Sequence, residues 1–150
     1  MVNFYRRFIK NCANIARPLT QLTGNVDFVW SETTQSSFEI LKHALCSAPV
    51  LRTYDPVLPI TVTTDASGFA IGAVLEQDED GMRRPVAYFS RTMNPHEQNY
   101  HAQEQELLAI VESIRYWRSY LHGHPFLVQT DHASLQYLTT QDRLSPRQVR

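Results

Sequence analysis

Residues 60–75 have the sequence Ile60-Thr61-Val62-Thr63-Thr64-Asp65-Ala66-Ser67-Gly68-Phe69-Ala70-Ile71-Gly72-Ala73-Val74-Leu75. Two runs rich in β-branched and small apolar residues flank a polar centre, a pattern that predicts a strand, a tight turn and a second strand. Asp65 then stands at the end of the first strand. An aspartate there is often a turn former, because its side chain can hydrogen-bond the backbone two residues on. A functional role for Asp65 requires other acidic residues in the same place.

A third strand and a long helix are predicted downstream of this hairpin. The polar run 77–81 ends in Asp-Gly and leads into a third strand over 84–90, antiparallel to the second. A cap and a proline at 94–95 begin a helical stretch. One long amphipathic helix follows from Tyr100, and Gly123 ends it. The predicted apolar stripe of this helix consists of Leu107, Leu108, Ile110, Val111, Ile114, Trp117 and Leu121.

A fourth strand over 126–130 is followed by Asp131 and by a predicted short helix over 132–138. Three consecutive strands, a long helix and another strand predict a mixed sheet in the α/β class, in which an antiparallel meander is continued through a right-handed crossover. The fourth strand then lies beside the first strand, 60–64, and runs parallel to it. Asp65 and Asp131 are therefore expected at the same edge of the sheet.

The N-terminal part of the chain predicts helices rather than strands. Residues 2–23 predict two short helices, and a third helix begins with Ser31 as its N-cap and stops before Pro49. Its apolar stripe comprises Phe38, Leu41, Ala44 and Leu45. The prolines that follow favour an extended connector. We therefore expect a helical segment over 1–52 and the main α/β domain over 53–150.

Glu106 is the candidate for a third acid at the predicted sheet edge. It stands just before the apolar run 107–110, near enough to the buried face of the long helix to point inward. Together with Asp65 and Asp131 it would form a group of carboxylates that repel one another unless a divalent cation offsets their charge. Oxygen-only ligands suit magnesium or manganese. The alternative is that helix acids simply face water, which we expect for Glu104 and Glu112.

The charge of the chain argues against a strongly cationic nucleic-acid-binding surface. The formal net charge is -1 and the sequence pI is about 6.6, so binding of nucleic acid would need metal ions or a companion domain. The cluster Arg6, Arg7 and Lys10 could contact a phosphate backbone, or it could be the solvated face of a helix.

The cysteines and the hydrophobic pattern indicate the compartment. Cys12 and Cys46 match neither a zinc-ligand spacing nor a disulfide framework, so we expect two small hydrophobic residues in a reducing compartment. The sequence has no apolar run of about 18 residues and no signal-peptide pattern. We therefore expect an intracellular, cytoplasmic protein that does not contact a membrane.

Several linked motifs resemble a known family. Three of them carry the acids, and in chain order these are Thr64-Asp65-Ala66-Ser67, Glu106-Leu107-Leu108-Ala109-Ile110 and Thr130-Asp131-His132-Ala133-Ser134-Leu135. In this order and spacing they resemble the ribonuclease H domain of Ty3/gypsy-type long-terminal-repeat retrotransposon polyproteins. Upstream, 3–9 and 28–30 resemble the end of the reverse transcriptase that precedes that domain. The resemblance covers nearly the whole chain.

The resemblance implies a magnesium-dependent endonuclease that cuts the RNA strand of an RNA·DNA hybrid. It implies that Asp65 bridges two Mg²⁺ ions, which Mn²⁺ can replace, and that Glu106 and Asp131 complete their coordination. Contacts to the 2′-hydroxyl would select RNA, with Ser67, Gly68 and nearby backbone as contributors or as plain turn residues. The implied partners are the hybrid and the upstream reverse transcriptase domains of the same polyprotein, within a virus-like particle or replication complex.

Two departures from the family pattern bear on activity. Members of the family carry a fourth carboxylate on a helix well past the third acid, and a fifth strand, neither of which is found before Arg150. The fold we expect is therefore a C-terminally truncated ribonuclease H-like sheet, with weak or no nuclease activity in these 150 residues. No Tyr-x-Asp-Asp polymerase motif is present. His132 is either a catalytic residue or a packing residue at the strand end.

The competing hypothesis is a non-catalytic module. A connection-like scaffold or a pseudoenzyme remnant would share the fold, join domains and hold the hybrid without binding a metal. Such a scaffold would have no reason to keep Asp65, Glu106 and Asp131 together.

Overall fold

The computed structural model describes residues 6–24, 27–47 and 51–131, and a four-stranded mixed sheet lies at its centre. The strands are β1 (Ile60–Ala66), β2 (Ala70–Glu79), β3 (Met82–Thr92) and β4 (Phe126–Thr130). Their order across the sheet is β3-β2-β1-β4. β1, β2 and β3 form the antiparallel meander, and β4 runs parallel to β1. The mixed sheet expected from the sequence is confirmed, and the predicted helix over 132–138 lies outside the described residues.

Helices precede the first strand in the chain, and further helices form the crossover from β3 to β4. A 3-10 turn at Arg6–Phe8 is followed by α1 (Cys12–Ile15), α2 (Arg17–Gln21), α3 (Glu32–Ser47), α4 (Pro95–Gln98), α5 (Ala102–Tyr116) and α6 (Arg118–Leu121). The two short helices, the N-terminal cap of α3 and the start of α4 agree with the sequence. Among the described residues, no helix is both long and apolar enough to cross a membrane.

The β2–β3 hairpin differs from the sequence expectation, in which the second strand ends near residue 75 and the polar run 77–81 follows it. β2 continues through Glu79, and only Asp80 and Gly81 form the turn, with φ values of 54° and 77°. Positive φ at both positions is typical of the two-residue turn that matches strand twist. Gln77 is a fully buried strand residue. A polar side chain can be buried here because it accepts a hydrogen bond from the N–H of Asp55 at 2.9 Å and donates one to the Asp55 carbonyl at 2.6 Å.

The prediction of one continuous helix from Tyr100 to Gly123 was wrong. Trp117 ends α5 and begins α6, and Gly123 follows with φ 81°. The buried residues of α5 are Gln105, Glu106, Ala109 and Ser113. Of the predicted stripe, Trp117 and Leu121 are buried as expected, residues 107, 108, 110 and 114 are only partly buried, and Val111 is exposed. The small side chains on this face let the backbone of α5 approach β1 and β2, so the helix packs through this face.

The stripe predicted for α3 was also partly wrong. Ser31 caps the helix, since its hydroxyl accepts from the N–H of Thr34 at 3.3 Å. Leu41 is buried, whereas Phe38 and Leu45 are exposed. The buried face is Thr34, Ser37 and Leu41. Leu41 lies here because α3 packs against the short helices through it.

Three clusters of buried hydrophobic residues hold the described part of the fold together, and one of them joins Ile71 and Met93 of the sheet side to Ala109 of α5. The main core lies between the sheet and the α5–α6 junction, and its buried residues include Val62, Leu75 and Trp117. A second cluster joins Ile9, Cys12 and Leu41 within the helical segment. Cys12 is a buried free thiol, as expected for a small hydrophobic residue, whereas the other described cysteine, Cys46, is free but exposed.

The helical segment packs directly on the sheet. The N–H of Ala13 in α1 donates to the hydroxyl of Ser90 in β3 at 3.2 Å. Ser90 directly follows Phe89 in β3, and the Phe89 ring lies 6.2 Å from that of Trp117 in the main core. Because successive strand residues point to opposite faces, α1 and α5 lie on opposite faces of the sheet.

Candidate active site

Asp65 and Asp131 stand at the same edge of the sheet. Asp65 is the second-last residue of β1, and Asp131 directly follows β4. The parallel register places Thr64 opposite Thr130, so each aspartate follows one member of an aligned pair. Both aspartates are exposed. The predicted placement of two acids side by side follows from this register.

Glu106 joins the two strand ends from α5. It lies in the first two turns of the helix and is 6% exposed. One carboxylate oxygen accepts a hydrogen bond from the backbone N–H of Ala66 at 3.1 Å, and the other accepts from the hydroxyl of Thr130 at 3.3 Å. The inward orientation expected from its position before the apolar run is therefore present. The structure also identifies the two hydrogen-bond donors that hold the carboxylate in this orientation.

The electrostatic environment of Glu106 is unfavourable for its charge. Burial raises the pKa of the Glu106 carboxyl, and the negative charges of Asp131 and Asp65 raise the pKa further. The hydrogen bonds from Ala66 and Thr130 oppose this shift by favouring the ionised form. The three acids therefore interact through their charges at one edge of the sheet.

The carboxylates of Asp65, Glu106 and Asp131 are ligands of a kind that suits a divalent cation. Carboxylate oxygens alone are the ligands that Mg²⁺ and Mn²⁺ prefer, and a cation would offset the mutual repulsion of the three acids. Within 6–24, 27–47 and 51–131, no group of three or more acidic, histidine or cysteine side chains is gathered closely enough to hold a metal ion. The oxygens of Glu106 are engaged with protein donors instead, although each carboxylate oxygen retains capacity to accept a further bond.

Ser67 and Gly68 form the turn between β1 and β2. The Ser67 hydroxyl accepts from the N–H of Ala70 at 3.1 Å and lies 3.0 Å from the Ala70 carbonyl and 3.1 Å from the side-chain oxygen of Asn14. Gly68 is exposed, and no atom lies within 4 Å of the place where a Cβ would stand. The turn role of Ser67 is therefore visible, and a contact of either residue with nucleic acid stays a prediction.

The structure adds residues to this region that the sequence reasoning did not select. Asn14 contacts Ser67 across 53 residues of chain, and the guanidinium of Arg17 lies 3.9 Å from the centre of the Phe69 ring. No local pattern could have indicated these contacts, because they join the helical segment to the turn only in the folded state. Thr130 could have been selected, since it stands directly before Asp131 in a motif already singled out.

Arg6 and Arg7 are not close to the acids. They lie in the 3-10 turn, which packs against β3, at the side of the sheet away from β1 and β4. Their predicted contact with nucleic acid stays a prediction. His132 lies outside the described residues.

Comparison with known proteins identifies relatives over most of the chain. A family model described as an RNase H-like domain found in reverse transcriptase matches residues 30–128. The retrovirus-related Pol polyprotein from transposon opus of Drosophila melanogaster is 42% identical over 150 residues, which cover 91% of this chain and 15% of that protein. The Tf2-3 transposon polyprotein of Schizosaccharomyces pombe is 39% identical over 138 residues, covering 89% of this chain and 10% of that protein.

Solved structures share the fold. The foamy viral protease-reverse transcriptase dRH in complex with double-stranded DNA superposes with a TM-score of 0.79 at 24% identity, covering 98% of this chain and 27% of the other. The foamy viral enzyme in complex with an RNA/DNA hybrid gives a TM-score of 0.71 at 24% identity, with 98% and 21% covered. The chain thus spans only a small part of the proteins that it matches. The family match begins at residue 30, and the domain boundary at 52 stays a prediction.

Proposed function

Since the chain belongs to the family of RNase H-like domains found in reverse transcriptases, we propose that it is the ribonuclease H-type endonuclease module of a retrotransposon reverse transcriptase. Its substrate would be the RNA strand of an RNA·DNA hybrid. The observation that carries this proposal is the position of Glu106, whose carboxylate spans the ends of β1 and β4 beside Asp65 and Asp131. Burying an acid this deeply beside two further acids lowers the stability of the fold, so a purely structural role does not account for Glu106.

Asp65, Glu106 and Asp131 would hold the divalent cations, two Mg²⁺ ions in the two-metal scheme or Mn²⁺ in their place. When bound, such ions supply an activated water and stabilise the leaving oxygen at phosphorus. The chain itself orients Glu106 through the Ala66 N–H and the Thr130 hydroxyl.

The exposed turn around Gly68 lies next to the acids and is the proposed place where the 2′-hydroxyls of the RNA strand are recognised. Because the relatives are polyproteins, the proposed partners are the preceding reverse transcriptase domains. The proposed location is an intracellular replication complex.

The test is metal binding and hybrid cleavage by the same protein. Isothermal calorimetry with Mn²⁺ should show saturable binding that Asp65→Asn and Asp131→Asn weaken at least tenfold, whereas Asp27→Asn, at an exposed acid elsewhere, should not change it. A labelled RNA strand in a hybrid should be cut slowly with Mg²⁺, and not at all by Asp65→Asn. Cleavage that survives Asp65→Asn, or an absence of saturable Mn²⁺ binding, would contradict the proposal.

One observation favours a second candidate, the non-catalytic scaffold or pseudoenzyme. Within the described ranges the acids are not gathered into a metal-binding group, and both oxygens of Glu106 are bonded to the protein. A scaffold would bind an RNA·DNA hybrid in EDTA with the same affinity as in Mg²⁺ and would show no site-specific heat with Mn²⁺. The same calorimetry therefore separates the two candidates.

A further inference from the structure

A groove lies beside the edge strand β3, away from the three acids. It has a volume of about 720 Å³ and lies between the Arg6–Phe8 turn, β3 and the C-terminal half of α5. We call it the cationic groove, because Arg6, Arg7, Arg91 and Arg115 line it together with the rings of Phe89 and Tyr116. β3 is two strands away from β1 in the sheet, or roughly 10 Å at the usual strand spacing. The groove is large enough to take a ligand of nucleotide size.

The charges in the groove are only partly compensated. Arg91 pairs with Glu97 at 2.9 Å and with Glu112 at 3.5 Å, and Arg115 pairs with Glu112 at 3.1 Å. In the described part of the chain, Arg6 and Arg7 form no ion pair with a carboxylate.

The guanidinium of Arg7 lies instead 5.2 Å from the centre of the Phe8 ring. Arg6 contacts the Cys12 side chain, which is not a carboxylate. Among the described residues, both guanidinium groups are therefore without a carboxylate partner, in a recess of a protein whose overall net charge is -1. A local excess of this kind attracts an anion.

An exposed aromatic ring stands next to these charges. Tyr116 is 59% exposed, although it is at the end of a packed helix. Its ring lies 5.0 Å from that of Phe89 and 6.1 Å from that of Trp117, which is fully buried. The ring is thus held from behind by core aromatics. Bases stack on aromatic side chains held in this way, and neighbouring cations contact the phosphates.

The combination identifies the class of ligand. Uncompensated arginines alone would suit an acidic peptide as well as a phosphodiester chain. A large exposed ring beside them favours nucleic acid, because every base offers a flat face for stacking. The base must be unpaired, since the faces of bases inside a duplex are covered by their neighbours.

We propose that the cationic groove binds a single-stranded segment of nucleic acid, with Arg6 and Arg7 on its phosphates and one base stacked on Tyr116. This site is separate from the three acids and requires neither a metal ion nor cleavage. It goes beyond the proposed nuclease function and would place a strand that has left the hybrid along the edge of the domain.

The test is binding of a fluorescent twelve-nucleotide oligouridine to the whole 150-residue chain, measured by anisotropy in EDTA. Arg7→Ala and Tyr116→Ala should each weaken binding about tenfold, and Tyr116→Phe should restore it because the stacking face is kept. Arg7→Ala should also reduce the salt dependence by about 0.7 in the slope of log K against log salt, the value for one phosphate of a single strand. Arg84→Ala, at an exposed arginine of β3 outside the groove, is the matched control and should bind like the unmodified chain.

Circular dichroism and thermal unfolding establish that each variant folds. The proposal is overturned if Arg7→Ala and Tyr116→Ala bind oligouridine as tightly as the Arg84→Ala control does. It is also overturned if a blunt duplex binds as tightly as the single strand, or if a hexaglutamate peptide displaces the oligonucleotide at equal concentration. Since the measurement is made in EDTA, a failure of the metal-dependent nuclease proposal leaves this result unaffected.

Discussion

The carboxylate of Glu106 in α5 accepts a hydrogen bond from the backbone N–H of Ala66 at the end of β1, at 3.1 Å. Its second oxygen accepts from Thr130 at the end of β4. One buried side chain therefore connects three elements that are far apart along the chain. This connection fixes the sheet edge at which Asp65 and Asp131 stand, so the stability of the edge and the chemistry proposed for it depend on the same group.

The ionised form of Glu106 should lower stability at neutral pH. Its pKa is raised in the folded state, so the folded protein holds this proton more tightly than the unfolded chain. The contribution of Glu106 to wild-type stability should therefore fall as the pH rises past 4.5, the ordinary value for this carboxyl, towards the raised folded pKa. Glu106→Gln does not titrate and keeps an oxygen for the Ala66 N–H. We expect the variant to gain on the order of 1 kcal/mol relative to wild type between pH 4 and pH 7.

Urea unfolding of both proteins across that pH range measures the difference. Glu104→Gln, at a partly buried acid in the first turn of the same helix, is the matched control. A Glu106→Gln variant whose stability relative to wild type is the same at pH 4 and at pH 7 would contradict this assignment of the pKa shift.

Glu97 should have the opposite pH dependence. The Arg91 guanidinium binds its two oxygens at 2.9 and 3.1 Å, and this interaction lowers the pKa of the Glu97 carboxyl. Its contribution is present above the ordinary value of 4.5 and is lost as the pH falls through the lowered folded pKa. Glu97 also accepts from the N–H of Asn94 at the start of α4. Glu97→Gln should cost about 1–2 kcal/mol at pH 7.

The measurement is the free energy of unfolding between pH 7 and pH 3, where Glu97→Gln should flatten the acid side of the stability profile. Glu39→Gln removes an exposed pair with Lys42 at 3.6 Å, and should change stability by less than about 0.5 kcal/mol. Equal losses in the two variants would mean that the Glu97–Arg91 pair adds no more to the free energy of unfolding than the exposed Glu39–Lys42 pair.

The arrangement of the strands could be predicted from the sequence because it depends on local patterns. The β-branched runs on either side of Asp65 and the strand that closes on Asp131 are visible in the sequence, and the handedness rule for crossovers places one beside the other. The inward position of Glu106 was also predictable, since it directly precedes an apolar run. Its two donors were not, because they are contributed by strands 40 and 24 residues away.

The polar strand residue Gln77 shows where the sequence was insufficient. A polar run that ends in Asp-Gly predicts a connector, yet Gln77 is fully buried. Its partners are backbone atoms of Asp55 and Leu58, and nothing near residue 77 indicates them. The same limit applies to α5, because helical periodicity defines which residues share a face but the packing partner decides which face is buried.

Gln77→Leu should therefore destabilise the protein although the new side chain is apolar and of similar size. The N–H and carbonyl of Asp55 would lose their side-chain partner in a buried place, which costs about 2–3 kcal/mol. Chemical denaturation at pH 7 measures the loss. Gln21→Leu, at an exposed position, should be within about 0.5 kcal/mol of wild type. A neutral Gln77→Leu would mean that water replaces the amide at no cost.

The last prediction concerns the contact between the helical segment and the turn that follows Asp65. The side-chain oxygen of Asn14 lies 3.1 Å from the Ser67 hydroxyl, and Arg17 stacks on Phe69 at 3.9 Å. Both contacts are partly exposed, so Asn14→Ala and Arg17→Ala should each cost only about 0.5–1 kcal/mol.

The local effect should be larger than the global one, because both contacts are made by residues of the turn itself. In both variants we expect the amide proton of Ser67, which bonds the Ala70 carbonyl at 2.9 Å, to exchange with solvent several times faster, while core amides of β2 keep their protection. Hydrogen exchange followed by NMR measures this, with Arg118→Ala as the control at an exposed arginine of α6. Unchanged exchange at Ser67 would show that the helical segment rests on the turn without stabilising it. Faster exchange would mean that residues assigned to the preceding segment help to hold the strand end that carries Asp65.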